Sequence, residues 1–432
     1  MNSQPQLSRR LGLWSTSLSG VGIILGAGIY VIIGAATADA GSAVWLAFVL
    51  AALLAGMTGL AYAELASMFP QAGASPVYIR EAFGRHAGFV LGWVRLSVSI
   101  ISAAAVALGF GGYLADLVGA PVIPTALIVL LVSFAVVVIG VRETIVLAIV
   151  MTLLEAGGLV LVVGLGADSL GSRPLTDMPH GLGGLMTGAA LVFFAFEGFE
   201  QIATLSEETR DPTRNIPRAI LIAIAISTLL YVTVALVSTS VLPWEQLAAS
   251  ASPLAEVADA AGNSTFAMLL SAIALFATFN TALMMLATAA RRAYGMATRH
   301  MLPPLFGVVG PRRKTPWVAA ALLTLCAALV TLFGDIAFAA HSANFAVFLA
   351  FVAVNSALIR LRWTRPDADR PFKIPLSVGK TPVIPVIGNL GILTLAYYTD
   401  VKAALMVLTL LLVGVVLAPF SIRSGLSSLP KS

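Results

Sequence analysis

The chain has 432 residues, of which 59% are hydrophobic and only 10% are charged. Soluble domains are about 25% charged, so this composition excludes a soluble globular protein. The formal net charge of +5 does not indicate nucleic-acid binding, because the basic residues are scattered in short polar segments and are not interleaved with aromatic residues. The apolar content suits a polytopic helical membrane protein, since a spanning helix takes roughly 20 residues.

The apolar runs predict an all-α membrane protein with twelve spanning helices. In chain order these runs are Leu13 to Ala35, Ser42 to Met68, Ala87 to Leu117, Ile123 to Gly140, Ile145 to Gly166, Leu185 to Leu205, Ile216 to Val241, Thr265 to Ala290, Trp317 to Phe333, Ile336 to Leu361, Val383 to Ala396 and Val401 to Phe420.

The distribution of Lys and Arg tests this count, because short cytoplasmic loops are enriched in both. With both termini inside, 22 of the 25 basic residues lie in inner segments, Arg173 and Lys402 lie outside, and Arg95 lies within a helix. We therefore expect both termini to be cytoplasmic in a cell membrane. The inner Arg and Lys residues would also contact anionic lipid.

The first predicted helix carries closely spaced glycines. Gly22 and Gly26 lie on one helix face, as close helix packing requires, whereas Gly26 and Gly28 lie on different faces. Since each interior Gly costs about 1 kcal/mol relative to Ala, this pattern favours local unwinding. Peptide N–H and C=O groups freed in this way are ligands for a polar substrate.

The sixth predicted helix has a second interruption at Glu197, Gly198 and Glu200. These residues come about twelve positions after Leu185, so a rise of roughly 1.5 Å per residue puts them near the middle of the bilayer. A carboxyl at this depth is costly and marks a functional site; the alternative is a protonated Glu hydrogen-bonded in a packed core. Broken helices at matching places in two halves point to a transporter with its site between them.

Several segments in combination resemble the amino acid, polyamine and organocation permeases. From Gly20 the chain reads G-V-G-I-I-L-G-A-G-I-Y-V-I-I-G, which is similar to the first-helix motif of that superfamily. From Tyr62, Y-A-E-L-A-S-M-F-P-Q-A-G-A-S-P-V-Y-I-R-E-A-F-G resembles the connection between the second and third helices. From Phe193, F-F-A-F-E-G-F-E resembles the broken sixth helix.

The resemblance implies a single domain, residues 1–432, with the leucine-transporter fold. Helices 1 to 5 (13–166) and 6 to 10 (185–361) would form inverted repeats, followed by two peripheral helices (383–420). It implies that backbone groups of the first break bind a substrate carboxylate, that carbonyls of the sixth helix receive the ammonium, and that Phe194 is an aromatic gate. The substrate-binding residues it indicates are Ile24, Gly26, Ala27, Gly28, Phe194, Ala195, Glu197 and Gly198.

Two residues depart from the pattern of the superfamily. Glu197 replaces an apolar residue found in many relatives, and a carboxyl beside the ammonium pocket would favour a cationic or amine substrate. Proton-coupled relatives often carry a lysine in the fifth helix, and the position reached from Gly140-Val141-Arg142-Glu143 is Glu155. A buried Glu can carry a proton or bind a cation, so Glu155 and Glu200 are the candidates for coupling.

Other polar residues inside the predicted helices have weaker assignments. Arg95 is expected to form a structural ion pair with Glu64, and a pair with Glu155 is the alternative. Ser97 and Asn280 are candidates for the substrate pathway, although such residues also commonly hydrogen-bond between membrane helices. The single cysteine, Cys326, and the four histidines are not spaced for a metal, so no cofactor beyond a coupling ion is expected.

These features predict a secondary transporter for amino acids or related amines that works by alternating access. Proton coupling is the leading hypothesis; sodium-coupled symport and substrate exchange by the same fold are the alternatives. An intramembrane enzyme is disfavoured because the sequence has neither H-E-x-x-H nor G-x-S-x-G. A channel is disfavoured because paired helix breaks suit an occluded site better than an open pore.

Overall fold

A computed structural model describes residues 11–70, 74–139, 141–298, 301–310 and 315–427. Gly140, the predicted end of the fourth helix, lies outside the described residues, as do Gln71 to Gly73 of the motif that follows the second helix.

The described chain is almost entirely helical. Its α-helices are α1 (Leu13–Ile24), α2 (Gly28–Ala40), α3 (Val44–Met68), α4 (Ala74–Phe83), α5 (Arg85–Val118), α6 (Val122–Ile139), α7 (Val141–Gly166), α8 (Gly181–Val192), α9 (Pro212–Val241), α10 (Trp244–Ala249), α11 (Pro253–Ala260), α12 (Ser264–Thr298), α13 (Trp317–Thr331), α14 (Ile336–Thr364), α15 (Val383–Tyr397) and α16 (Val401–Ser427). Short 3-10 segments cover Gly41–Ala43, Ala167–Ser169, Phe193–Phe196, Phe199–Glu207 and Pro304–Gly307, and the strands β1 (Ser377–Val378) and β2 (Thr381–Pro382) form an antiparallel hairpin.

Among the described residues, nine helical segments are long and apolar enough to cross a membrane. Three shorter apolar helices, α1, α13 and α15, accompany them. Each predicted apolar run is thus helical over most of its length, which bears out an all-α membrane protein. The number of crossings, twelve, and the inverted repeat of the two halves stay predictions.

The predicted eighth helix is longer than expected. It was predicted to end at Ala290, yet α12 continues to Thr298. Hydropathy ends the apolar run at Arg291 and Arg292, but Ala, Met and Arg are good helix formers. Arg292 is also held inside the protein, because its Nη1 donates to the backbone carbonyl of Arg95 at 2.6 Å.

The segment that follows the second helix break is wedged between α3 and α14. Phe199 packs edge-on against Tyr62 of α3, with ring centroids 5.8 Å apart, and against Phe351 of α14 at 5.1 Å. All three side chains are fully buried. Aromatic packing of this kind fixes the position of the break in the core.

Candidate functional site

The first predicted helix is interrupted between α1 and α2. The Gly26 N–H donates to the Ile24 carbonyl at 2.8 Å, which forms a tight turn in place of a helical hydrogen bond. Side chains from other helices hold the neighbouring peptide groups: Tyr231 donates to the Ile24 carbonyl at 2.8 Å, and Thr281 Oγ1 accepts from the Ala27 N–H at 3.0 Å. The break predicted from the glycines is therefore present and is stabilised by α9 and α12.

The second interruption lies between α8 and the segment Phe199–Glu207. After the turn Phe193–Phe196, Glu197 is extended (ψ 130°) and Gly198 has a φ of +121°. Only glycine adopts such a conformation without strain. The Gly198 N–H donates to Glu200 Oε2 at 3.0 Å, so the side chain of Glu200 caps the peptide group freed by the break.

The two breaks touch each other. A Cβ atom on Gly28 would lie 2.6 Å from the Cα atom of Ala195, and a Cβ on Gly198 would lie 3.0 Å from the carbonyl oxygen of Ile23. No real Cβ atom approaches backbone as closely as the first distance. Glycine is therefore needed at Gly28 to let the two interrupted helices meet backbone to backbone.

A cavity of about 590 Å³, which we call the transport cavity, lies against both breaks. Eight of the residues predicted for the site are on its wall: Ile24, Gly26, Gly28, Glu155, Phe194, Ala195, Glu197 and Asn280. Its other lining residues, such as Ser19, Leu205 and Thr288, extend from the breaks toward one end of the helices. That end carries Arg291 and Arg292 and was predicted to be cytoplasmic.

Six of the predicted residues are not on this wall, namely Ala27, Gly198, Ser97, Glu200, Glu64 and Arg95. Ala27 and Gly198 are adjacent to it, but Ala27 is fully buried against Thr281 and Gly198 packs on Ile23. Ser97 Oγ donates to the Trp93 carbonyl at 3.1 Å within α5, and its side chain faces an apolar groove elsewhere. Ser97 therefore does not line the transport cavity, because periodicity alone does not fix which face of α5 meets it, and its pathway role stays a prediction.

Glu155 is on the cavity wall and is almost fully buried, with 1% of its surface exposed. Its Oε1 accepts from Asn280 Nδ2 at 2.9 Å, and its Oε2 has no hydrogen-bond partner among the described residues. Within the described residues no basic side chain forms an ion pair with Glu155, so the alternative pairing with Arg95 is wrong. A buried carboxyl without a cation beside it is costly in its charged form, which favours proton or cation binding.

Glu197 faces the cavity from the second break. Its Oε2 accepts from Ser102 of α5 at 2.9 Å, and the side chain is 7% exposed. The carboxyl is held in place by this hydrogen bond while the group lines the cavity. This arrangement can receive an amino or guanidino group of a ligand.

The charged residues Glu64 and Arg95 were predicted to pair with each other, and that prediction is wrong. Arg95 forms a buried ion pair with Glu200, through Nη2 and Oε1. Glu64 accepts from Arg362 Nε at 2.9 Å and lies 3.3 Å from Arg370 Nε. Position along a helix gives the depth of a charge, but it does not reveal which helices are neighbours. Glu200 is thus an ion-pair partner in the structure, and its coupling role stays a prediction.

Sequence reasoning missed two residues that hold the first break, Thr281 and Tyr231. Thr281 follows Asn280 directly, and two adjacent polar residues near the middle of α12 were a signal that this helix faces a polar region. No comparable signal marks Tyr231, because aromatic residues are common in membrane helices.

The fold and the site together define a class of protein. A polytopic helical bundle with two interrupted helices that meet at a mainly apolar cavity carrying two carboxyls has the organisation of a membrane transporter.

Comparison with known proteins agrees with this assignment to the membrane transporters and identifies the family. A family model described as amino acid permease matches residues 11–423, so the chain belongs to this family, which is part of the amino acid, polyamine and organocation superfamily. The chain is 30% identical to the branched-chain amino acid permease BcaP of Bacillus subtilis, over 96% of this chain and 93% of that protein. It is 31% identical to the methylthioribose transporter of the same bacterium, over 88% of this chain and 86% of the relative. A plant relative, the vacuolar cationic amino acid transporter 4 of Arabidopsis thaliana, is 28% identical over 86% of this chain and 65% of its own length.

Membership of this family confirms three predictions. The chain belongs to the superfamily that its motifs resemble, it is a transporter and not an enzyme, and it is a multi-pass membrane protein.

Proposed function

We propose that the protein moves α-amino acids across the cell membrane by alternating access, with a proton as the coupling ion. The observation that carries this proposal is the transport cavity, in which the backbone of both helix breaks and the carboxyls of Glu155 and Glu197 share one wall. The start of α2 offers the positive end of a helix dipole to a substrate carboxylate. The carbonyls of the second break and Glu197 offer negative charge to the ammonium group.

The substrate class follows from the same wall. The Glu197 carboxyl stands beside the carbonyls proposed to bind the ammonium, so a second positive group on the substrate would gain a partner and offset the cost of charging this buried acid. The relatives named above are transporters of branched-chain amino acids, cationic amino acids and methylthioribose. We propose amino acids with an additional amino group, such as ornithine, as preferred substrates over neutral ones.

Glu155 is the proposed proton carrier. Its buried position and its unpartnered Oε2 support a group that is neutral when it has bound a proton. Sodium symport is the second candidate, since a carboxyl and the Asn280 amide oxygen are ligands that a cation accepts. Both Glu155 Oε2 and Asn280 Oδ1 are buried, and neither has a hydrogen-bond partner in the part of the chain that the structure describes.

Uptake into proteoliposomes tests the proposal. With an alkaline interior, labelled ornithine should accumulate up to about tenfold for each unit of pH difference if one proton accompanies one substrate, and a protonophore should abolish accumulation. Leucine should compete more weakly. Accumulation that needs a sodium gradient would contradict proton coupling, and uptake that needs internal substrate and ignores both gradients would identify an exchanger.

A further inference from the structure

A second cavity, of about 540 Å³, adjoins the transport cavity. Gln201 and Thr288 line both cavities, so a substrate that leaves the transport cavity toward the arginine-bearing end enters the second one. Its charged lining consists of five arginines and one glutamate: Arg80, Arg85, Arg95, Arg291, Arg292 and Glu200. We call it the basic vestibule.

Little of this positive charge is neutralised by the protein. Glu200 pairs with Arg95, and Glu81, outside the vestibule, lies 3.5 Å from Arg80. In the described part of the chain, neither Arg85 nor Arg291 forms an ion pair.

Two further arginines of the vestibule keep positive charge or hydrogen-bond donors that no carboxylate of the described chain satisfies. Arg292 Nη1 donates to two neutral oxygen atoms, the Arg95 carbonyl at 2.6 Å and Ser99 Oγ at 3.0 Å. Arg95 is 5% exposed, and its buried Nη1 has no hydrogen-bond partner within the described ranges. Unpaired guanidinium groups in a concave, partly buried site attract and concentrate anions.

We propose that the basic vestibule is a second binding site for the substrate carboxylate on the exit route, which rests on the proposed function. An arginine fork binds a carboxylate through two parallel hydrogen bonds. The cavity volume is within the usual range for small-molecule sites, roughly 300 to 1,000 Å³, so a whole amino acid fits.

This site makes the carboxylate a requirement for transport. An amine without a carboxylate meets an excess of positive charge in the vestibule and has no group to offset it. The vestibule therefore selects amino acids over the corresponding amines, even though Glu197 in the transport cavity accepts positive groups. The amine that corresponds to leucine without its carboxylate is 3-methylbutylamine, and the one that corresponds to ornithine is putrescine.

The test measures half-saturation concentrations from each side of the membrane, in inside-out and right-side-out vesicles, with leucine and ornithine as probes. Arg291→Gln should raise the half-saturation concentration on the vestibule side about tenfold, the loss expected for one charged hydrogen bond. The half-saturation concentration on the opposite side should change by less than about twofold. Arg291→Lys keeps the charge and should retain part of the affinity. Arg218→Gln is the matched control, because Arg218 is exposed near the start of α9 and does not line the vestibule. The two amines should not compete from the vestibule side.

Three results would overturn the inference. Equal shifts on both sides would mean that Arg291 acts on the whole protein, and unchanged values for Arg291→Gln with normal wild-type transport would mean that the vestibule does not bind substrate. If phosphatidylglycerol vesicles stabilise the wild type against heat but not Arg291→Gln, while the half-saturation concentrations for substrate are unchanged, the vestibule is a lipid headgroup site instead. Failure of the proposed function is distinguishable, because the wild-type protein would then transport neither amino acid.

Discussion

The two carboxyls on the wall of the transport cavity differ in their partners. Glu197 accepts from a hydroxyl, Ser102 Oγ, whereas Glu155 accepts from an amide, Asn280 Nδ2, and leaves one oxygen unpartnered. Glu197 comes from the second helix break and Glu155 from α7, so they approach the cavity from different elements. We propose that Glu197 selects the substrate and Glu155 couples transport to the proton, and each role can be tested by one substitution.

Glu155→Gln should abolish proton-driven accumulation and leave exchange largely intact. Glutamine keeps the oxygen that accepts from Asn280, so the packing is conserved, but it cannot take up or release a proton. The measurement compares ornithine accumulation under a pH gradient with exchange of internal for external ornithine. Glu256→Gln, at an exposed carboxyl of α11, is the control and should retain both activities. Normal accumulation by Glu155→Gln would remove its proton-carrying role.

Glu197→Gln should shift selectivity from cationic to neutral amino acids. Glutamine preserves an acceptor for Ser102 but removes the negative charge, so ornithine loses a charged hydrogen bond of about 1.5 to 3 kcal/mol. Its apparent affinity should therefore fall about tenfold or more relative to leucine. Competition assays with labelled leucine measure the ratio.

Ser102→Ala serves as the comparison for Glu197→Gln, because it removes the hydrogen bond to the carboxyl and keeps the charge. This variant should retain the preference for ornithine. An unchanged ratio of affinities in Glu197→Gln would show that the carboxyl does not contact the substrate.

At the scale of elements, the two helix breaks depend on small residues at their contact. Both breaks were predictable from the sequence, because glycines and carboxyls within apolar runs conflict with regular membrane helices. Their contact through Gly28 and Ala195 was not predictable, since it depends on how α2 and the turn Phe193–Phe196 approach in space. The hydrogen bonds from Tyr231 and Thr281 were hidden for the same reason.

Gly28→Ala should destabilise the contact between the breaks. The added methyl group would meet the Ala195 backbone at 2.6 Å, and backbone cannot move aside as a flexible side chain does. Overpacking costs about 1 to 3 kcal/mol, so we expect a lower unfolding temperature in detergent and loss of stabilisation by ornithine.

Gly56→Ala is the matched control for Gly28→Ala. Gly56 lies within α3, and a Cβ atom there would have no neighbour within 4 Å. Alanine is favoured over glycine in a helix by about 1 kcal/mol, so this variant should be as stable as the wild type or more so. Equal behaviour of the two variants would contradict a close contact at Gly28.

At the scale of the whole molecule, sequence patterns predicted the depth of a residue in the membrane better than they predicted which helices lie next to each other. The rise per residue correctly indicated that Glu155 and Glu197 belong at the level of the breaks. It gave Arg95 and Glu64 the wrong partners, because α5 lies against the second break and α3 lies against the end of α14. Neighbour relations depend on tertiary packing, which a single sequence encodes only indirectly.

The direction of the transport cavity gives a prediction for the molecule as a whole. The cavity extends toward the arginine-bearing end and joins the basic vestibule at Thr288. Gly28 and Ala195, which pack against each other, line the transport cavity and not the vestibule. In a Cys326→Ala background, which removes the chain's single cysteine, Thr288→Cys should react with a membrane-impermeant maleimide in inside-out vesicles. Ornithine should slow the reaction, since it occupies the same passage.

Ser172→Cys provides the control for sidedness. Ser172 is exposed in the segment between α7 and α8, at the end of the molecule predicted to be outside. It should react in right-side-out vesicles and not in inside-out vesicles. Because the positive charges concentrate at the vestibule end, as cytoplasmic segments do, Thr288→Cys and Ser172→Cys should react from opposite sides. Reaction of both from the same side would contradict the predicted orientation and, with it, the assignment of the basic vestibule to the cytoplasmic exit.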